Sequence, residues 1–379
     1  MKPLTLNLTL SIGKGTPKPV KRDLIDAVQS IEVTHNVEGR SGFQIVFQVG
    51  RNRNLPWQDY PLAKNPLLNP FNRVIMLVTI GPVAEVLMDG IITNHQLSPS
   101  PEPGGSTFTI MGEDVSIMMD LEERSVSHPV QDEAMIVRRL IADYSEYGLV
   151  PKIVKPPFQD RPQKTERTPV QQGTDLAYLK QLADRFAYVF YVLPGPSSGL
   201  NTAYWGPPKR TDPQKALTLN MGSFTNVASI NFQHNALAAA TVSGKVQDRK
   251  TNQIKLVQDQ ESDLEPLVKQ TALKTQTHKR SIQFRETGRD TGQSGSRAQA
   301  MVDRAVEEVI TVTGELNTLL YGELLHLRGV VGLRGVGFNY DGLYEVKQVT
   351  HKIRKGEYKQ SFTIKREGLG ATVDRLKVR

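Results

Sequence analysis

Seven histidines, at positions 35, 95, 128, 234, 278, 326 and 351, are the residues with the widest chemical range in this chain. A helical metal box needs two of them four residues apart, and no such pair occurs, so no HExxH-type site is encoded. His35 falls on the apolar side of the run Ile31, Val33, His35, Val37, where a hydrogen-bonded core histidine is the expected role. The sequence has no cysteine, which removes disulfides, thiol nucleophiles and cysteine-ligated zinc or iron–sulfur centres. Gly329, Gly332, Gly335 and Gly337 in LRGVVGLRGVG do not make a phosphate loop. Their spacing is not GxGxxG, no helix follows, and no Lys-Ser/Thr pair closes the motif. They read as edge and bend positions of a curved sheet. GKGTPK near the amino terminus fails the same test. GQSGS (292–296) is not a nucleophile elbow, because glycine directly follows its central serine. Glu122-Glu123 and Glu307-Glu308 are sequence neighbours on or near helices, which points to a solvated face. No catalytic constellation, cofactor or metal site is expected, and the chain is not read as an enzyme.

Composition sets the broad class. At 379 residues the chain exceeds a typical domain of roughly 100–150 residues, so two or three domains are expected. Hydrophobic residues at 38% and charged residues at 23% fit a folded protein with a lean core. Lys and Arg number 47 against 39 Asp and Glu, a net charge of +8, and the signs are mixed except from Lys347 to Arg379. That local excess reads as a solvated strand face or as a polyanion site. In MKPLTLNLTLSIGKG, Thr5, Asn7, Thr9 and Ser11 interrupt the leucines, so no signal peptide is expected. No apolar run approaches the roughly 20 residues of a membrane-spanning helix.

The elements follow from periodicity. Ile31–Val37 and Phe43–Val49 alternate around the turn Glu38–Gly42 and predict a hairpin. Further strands are expected at Arg73–Ile80, Val83–Gln96 and Thr107–Glu113, with Gly90 as a place for a bulge. Between them, residues 51–73 carry prolines at 56, 61, 66 and 70, together with the apolar anchors Trp57, Tyr60, Leu62, Leu67 and Leu68. This stretch is a loop folded over its own core or an arm toward a neighbouring subunit. The period becomes helical at Val130–Tyr147, with Gly148 as a stop. Residues 156–169 form a proline-broken linker. Thr174 caps a helix whose stripe is Leu176, Leu179, Leu182 and Phe186. Strands follow at Tyr188–Leu193 and Thr202–Trp205, then at Val227–Phe232 and Thr241–Val246. Residues 248–297 are polar and poorly periodic and read as an insertion or mobile excursion. A helix is expected at Ser296–Val309 on Ala298, Met301, Ala305 and Val309, then strands at Val312–Leu319 and Leu324–Leu327. The closing hairpin is Tyr344–His351 and Tyr358–Arg366, turning at Lys355–Glu357. On its first strand, Tyr344 is the one aromatic assigned to the face of Lys352 and Arg354. On the second, Tyr358, Phe362 and Ile364 share one face and Lys359 and Lys365 the other. That segregation suits a half-buried strand and argues against sequence-specific nucleic-acid readout.

Four stretches, GTDLAYLKQLADRFAYVFYV, NTAYWGPPKR, LNMGSFTNVASINFQHNALAAATVSGKV and FNYDGLYEVKQVTHKIRKGEYKQSFTIKREG, together with GEDVSIMMDLEE before a helix, carry a resemblance. In order and spacing they resemble the baseplate hub proteins of contractile phage tails and injection systems, the late control protein D group that includes the hub portion of VgrG. The resemblance implies an α+β, mainly β fold. It has two tail-tube-like antiparallel β-barrel domains, 1–115 and 223–370, around a helix-containing middle domain, 116–222, with a tail at 371–379. It further implies a homotrimer presenting six barrels in a pseudo-sixfold ring. Such a ring lines a channel and joins a sixfold inner tube protein to a threefold spike, alongside other baseplate proteins. VgrG runs on into a spike, whereas this chain stops eleven residues after Gly368. A separate spike protein, and no built-in lysozyme or toxin, are the expectation. The place implied is a virion tail baseplate or a cytoplasmically assembled injection particle. Trp57, Tyr60, Leu62, Leu67, Leu68 and the tail residues Arg375, Lys377 and Arg379 are the interface candidates. The alternatives are a basic nucleic-acid-binding module and a tail-associated cell-wall hydrolase.

Overall fold

The leucines that alternate with Asn7, Thr9 and Ser11 form a strand, β1 (Leu6–Gly13), with Leu10 and Ile12 buried. The period of two in this stretch is a strand signal. A computed structural model describes residues 6–50, 60–102, 104–156, 168–249, 251–259, 261–286, 288 and 290–371. After β1 come the two-residue β2 (Lys18–Pro19), α1 (Arg22–Asp26), and the expected hairpin β3 (Val28–Asn36) and β4 (Gly42–Gln48). Next are β5 (Arg73–Ile80), β6 (Val83–Ser98) and β7 (Thr107–Asp114). The bulges of β6 flank Gly90 instead of falling on it. One register shift opposes Met76/Leu77 of β5, the other lies at Ile92/Asn94 against β7. Gly90 itself permits close approach, since a Cβ there would lie 2.5 Å from the Glu113 carbonyl oxygen.

The middle of the chain holds β8 (Glu123–Ser127), α2 (Glu133–Ala142), β9 (Leu149–Ile153), β10 (Val170–Thr174), α3 (Asp175–Asp184), β11 (Val189–Pro194) and β12 (Asn201–Gly206). Thr174 caps α3 as expected, accepting from the Ala177 amide at 3.1 Å. α2 is shorter than its sequence pattern. Val130 sits at φ +57°, outside a right-handed helix, and Asp132 caps the first turn at 2.8 Å from the Met135 amide. β12 runs antiparallel to β11 and parallel to β9. Trp205 on β12 is fully buried and donates to the Leu179 carbonyl at 3.3 Å, fastening α3 to this small sheet.

The last third comprises β13 (Thr211–Thr218), β14 (Val227–His234), β15 (Ala240–Gln247), β16 (Ile254–Asp259), α4 (Ala272–Thr275), β17 (Arg280–Phe284) and α5 (Thr291–Glu307). It ends with β18 (Ile310–Asn317), α6 (Thr318–Tyr321), β19 (Gly329–Arg334), β20 (Gly342–Arg354) and β21 (Glu357–Arg366). Of the two expectations for 248–297, an insertion or a mobile excursion, the described residues are folded and do not make a loose excursion. They add β16 and β17 on either side of β15, and Val257, Ala272, Leu273 and Phe284 enter the core. The apolar residues of this segment are sparse and find their partners on α5 and β15, so no local period marks them. Leu324–Leu327 is not a strand either. Leu324 and Leu325 are buried in an irregular segment, and pairing begins only at Gly329. In β20 a bulge between Val346 and Gln348 changes the alternation. Tyr344 therefore lies with Val346, Val349 and His351 in the interior, not on the Lys352 face. Lys365 does share a face with Lys359, but it is buried and ion-paired with Glu307 at the end of α5.

The fold is α+β and mainly β. One ladder runs β14-β18-β21-β20-β3-β4-β7-β6-β5-β1-β2, with β19 on β20 and β13 on β19. The two strand-rich ends of the sequence are thus parts of one sheet, joined where β20 pairs with β3. Three apolar clusters lie against it. One is enclosed by β1 and β3–β7, one by the last-third strands with α5, and one by α2, α3 and the β9–β12–β11 sheet. No described helix is long and apolar enough to cross a membrane.

A buried ion pair ties the first part to the middle. Arg73, at the start of β5, donates from Nε and Nη2 to the two Asp89 oxygens of β6, both at 2.7 Å. The same Nη2 reaches the carbonyls of Tyr147 at 2.8 Å and Gly199 at 3.1 Å, while Asn201 donates to Asp89 at 2.9 Å. Removing one member of such a pair strands a charge in the interior. Asp89→Ala is expected to cost about 3–5 kcal/mol in urea unfolding. A loss below about 1 kcal/mol would show that this pair does not hold the two parts together.

Candidate functional site

The functional surface is built from the ladder, because side chains that alternate along each strand also line up across it. Gln44, Glu32, Lys352, Lys359 and Asn317 stand in one row over β4, β3, β20, β21 and β18. In the next row Thr34 pairs Thr350, with hydroxyls 3.1 Å apart, followed by Ser361 and Glu315. The opposite face carries Phe43, Val33, His351, Gln360 and Leu316, all buried. One face is apolar core and the other a continuous polar wall across five strands. A groove of about 390 Å³ runs over that wall, lined by Glu32, Glu315, Lys352 and Lys359.

The basic excess of the closing hairpin is largely neutralised where it lies. Lys359 is 2.8 Å from Glu357 and 3.4 Å from Glu315, and these carboxylates raise its pKa. Lys352 lies 3.9 Å from Glu315. Lys347 is ion-paired with Glu308 and with Glu38 at 3.2 Å, and Lys365 with Glu307. Arg366 sits over the Tyr344 ring at 4.3 Å and donates to the Asn339 and Asp341 carbonyls. A polyanion track needs cations free to meet phosphates, and this hairpin supplies few.

Several edges of the ladder carry a partner on one side only among the described residues, β2 and β13 among them. β14 pairs β18 alone, and residues 93–98 of β6 pair only β7. Just before β14, Phe224 is 77% exposed and Met221 is exposed as well, and Leu320 of α6, which follows β18, is 65% exposed. Local periodicity does not mark these residues, because each lies in a short connection between strands.

The expected interface residues are dispersed. Tyr60 and Leu68 are buried in the first core, and Leu62 packs partly against it. Leu67 is exposed, and so is Phe71, which the sequence reading did not single out. Trp57, Arg375, Lys377 and Arg379 lie outside the described residues.

The histidines form no metal site: no group of three or more His, Asp or Glu side chains suited to a metal occurs among the described residues. His35 and His351 do meet across the β3–β20 junction, with ring centroids 5.5 Å apart. His35 Nδ1 lies 3.2 Å from Ser41 Oγ, and His351 Nδ1 2.9 Å from the Tyr358 hydroxyl. Burial first, then repulsion from His326, lowers His35 to about 4. Burial, with His35 and His326 adding repulsion, holds His351 well below its ordinary value. Both act as neutral core histidines.

No protein-family model matches the chain, and no curated protein matches it in sequence. Solved structures do match. The tail protein from Neisseria meningitidis MC58 superposes with a TM-score of 0.63 at 13% identity, over 96% of this chain and 98% of its own. The 43 kDa tail protein of prophage MuSo2 from Shewanella oneidensis gives 0.62 at 12% identity, over 96% and 99%. An Escherichia coli component of the type VI secretion system, described as structurally similar to the T4 bacteriophage tail proteins gp27 and gp5, gives 0.56 at 10% identity, over 89% and 73%. The fold is therefore that of phage tail proteins and their type VI secretion relatives.

The histidine pair makes a pH prediction. An unfolded histidine titrates near 6.5, so between that value and about 4 the unfolded chain binds more protons than the folded one. Stability should be full above about pH 6.5 and fall as the pH drops, by up to about 1.4 kcal/mol per pH unit for each ring. His351→Gln should roughly halve that slope in urea titrations between these pH values. An unchanged slope would exclude the pair as its source.

Proposed function

We propose that the chain is a non-enzymatic structural subunit of a phage-tail or injection-system baseplate. In this reading it is a homotrimeric hub that joins an inner tube to a spike-forming partner and lines the channel between them. The observation that carries the proposal is the likeness of fold along nearly the whole chain to two tail proteins, 96% of it covered in each case. The ladder adds physical support. A wall polar on one side and apolar on the other, built by strands from both ends of the sequence, suits a water-filled lumen backed by a core. Open sheet edges invite pairing unless something covers them. The edge at β14 and the edge at residues 93–98 of β6 differ from each other, so copies joined edge to edge would contact head to tail. A head-to-tail contact closes into a ring when the rotation permits. Segments 1–115 and 223–370 would then act as the two tube-like units, with six around a trimer. Leu67, Phe71 and Trp57 are the arm positions assigned to subunit contacts.

Light scattering on the purified chain should give the mass of three copies, with obligate contacts burying on the order of 2,000 Å² or more. The double variant Phe224→Glu/Leu320→Glu should reduce the mass to one copy while the far-ultraviolet circular dichroism stays unchanged. A single-copy mass at every concentration, with spike and tube partners added, would refute the trimeric hub.

A further inference from the structure

Three arginines are buried among the described residues, Arg73, Arg328 and Arg366. Arg73 is matched by Asp89, and Arg366 donates to the carbonyls of Asn339 and Asp341. Arg328 differs. Although only 5% exposed, it makes no ion pair among the described residues, and its one side-chain hydrogen bond runs from Nη2 to the Val37 carbonyl at 3.3 Å. A guanidinium has five N–H donors and cannot shed its charge in practice. Most of its donors therefore lack a protein acceptor among the described residues and stay within reach of solvent, since none of its nitrogens is both buried and unpartnered.

The group is nonetheless held in place. Its Cζ lies 3.7 Å from the centroid of the Tyr191 ring, and Tyr191 stacks on Tyr204, its cross-strand partner, at 4.8 Å. The backbone is at φ +61°, an unfavourable conformation for a non-glycine residue, and is fixed by the Arg328 amide donating to Val346 at 2.9 Å. Strained, over-determined side chains of this kind concentrate at binding sites.

Arg328 faces a cleft of about 1170 Å³ between α3–β11 and α5. Phe186, Tyr188, Pro207 and Pro208 supply apolar lining, and Lys180 and Lys209 stand on it exposed and without ion pairs among the described residues. Of the carboxylates lining the cleft, Glu345 pairs with Arg210, Glu307 with Lys365 and Asp184 with Arg297 and Arg304, while Glu38 and Glu308 share Lys347. Asp259, Asp263 and Asp303 belong to the side formed by β16 and α5. The cations of the lining without an ion pair among the described residues are Arg328, beside the Tyr191–Tyr204 stack, and Lys180 and Lys209, with Glu345 acting on Arg328 from a distance. The volume lies beyond the roughly 300–1,000 Å³ typical of small-ligand pockets, and a free phosphate or acetate would leave most of it empty.

We propose that this cleft docks a peptide segment of a partner protein through a carboxylate seated on Arg328, with apolar neighbours of that carboxylate packing on Phe186 and Tyr188. A planar carboxylate can take two donors of the stacked guanidinium at once, which fixes its orientation. Lys180 and Lys209 act at longer range, raising the rate of encounter. The inference goes beyond the hub role and does not depend on it.

The test uses two amidated, acetylated apolar pentapeptides with a neutral dye, one carrying a single glutamate and the other glutamine at the same position. Fluorescence anisotropy with the full chain should show at least a tenfold preference for the glutamate peptide. Arg328→Gln should abolish that preference, and Lys180→Glu should reduce it several-fold. Lys180 is exposed, so its substitution tests the site even if the Arg328 variant fails to fold. Equal binding or equal non-binding of the two peptides by the wild type overturns the proposal, as does a preference retained in Lys180→Glu and in a folded Arg328→Gln. If inorganic phosphate raises the melting temperature through Arg328 while the peptides do not differ, the cleft takes a free oxyanion and the peptide proposal fails.

Discussion

Seven consecutive residue pairs between β3 and β20, from Gln348 with Asn36 to Arg354 with Ser30, join strands more than 300 residues apart in the chain. Every large feature of the molecule depends on this junction. Without it the first and last thirds would be separate sheets, each with an additional exposed edge. With it, the apolar rows of both continue into one another, Ile45–Ile31–Ile353–Tyr358 being one such row. A pairing this distant has a large loop-closure cost. What offsets the cost is burial on one face together with matched polar contacts on the other.

The same junction explains why the histidines are structural. His35 and His351 are placed opposite each other by register, inside the apolar face and next to Tyr358. Their neutrality follows from burial, and proton uptake would introduce charge at the contact that unites the sheet. On the far face, Glu32 opposite Lys352 and Glu315 beside Lys359 keep the polar wall nearly balanced. A balanced polar wall stays hydrated without holding a polyanion tightly.

Around this sheet, the middle of the chain is attached by polar contacts as well as by the apolar cluster that Ile91 of β6 joins. Arg73 and Asp89 bind the turn carbonyls of Tyr147 and Gly199 and the amide of Asn201, so one buried charge pair orients two loops and a strand. Arg328 is the counterpart at the other side of the middle region, but among the described residues it makes no ion pair like the first. One site is closed and structural. The other remains open toward a cleft.

Much of this was legible in the sequence wherever the information is local. The alternation of Ile31–Val49, Arg73–Ile80 and Thr107–Glu113 places strands and their buried faces, and Thr174 marks the start of α3. The absence of metal boxes and nucleophile elbows also reads directly from residue spacing. Local pattern failed where partners come from afar. The bulge near Lys347 moves Tyr344 inward because register with β3 and β21 together requires it. The polar stretch 248–297 folds because β15 and α5 cover its few apolar residues. Only the tertiary structure brings Arg73 to Gly199, Asn201 to Asp89, and Arg328 to Tyr191. Periodicity reports which side of an element is apolar, since that depends on neighbours two to four residues away. Which element meets that side depends on closing loops of a hundred residues or more, and that is decided by the global packing of the chain.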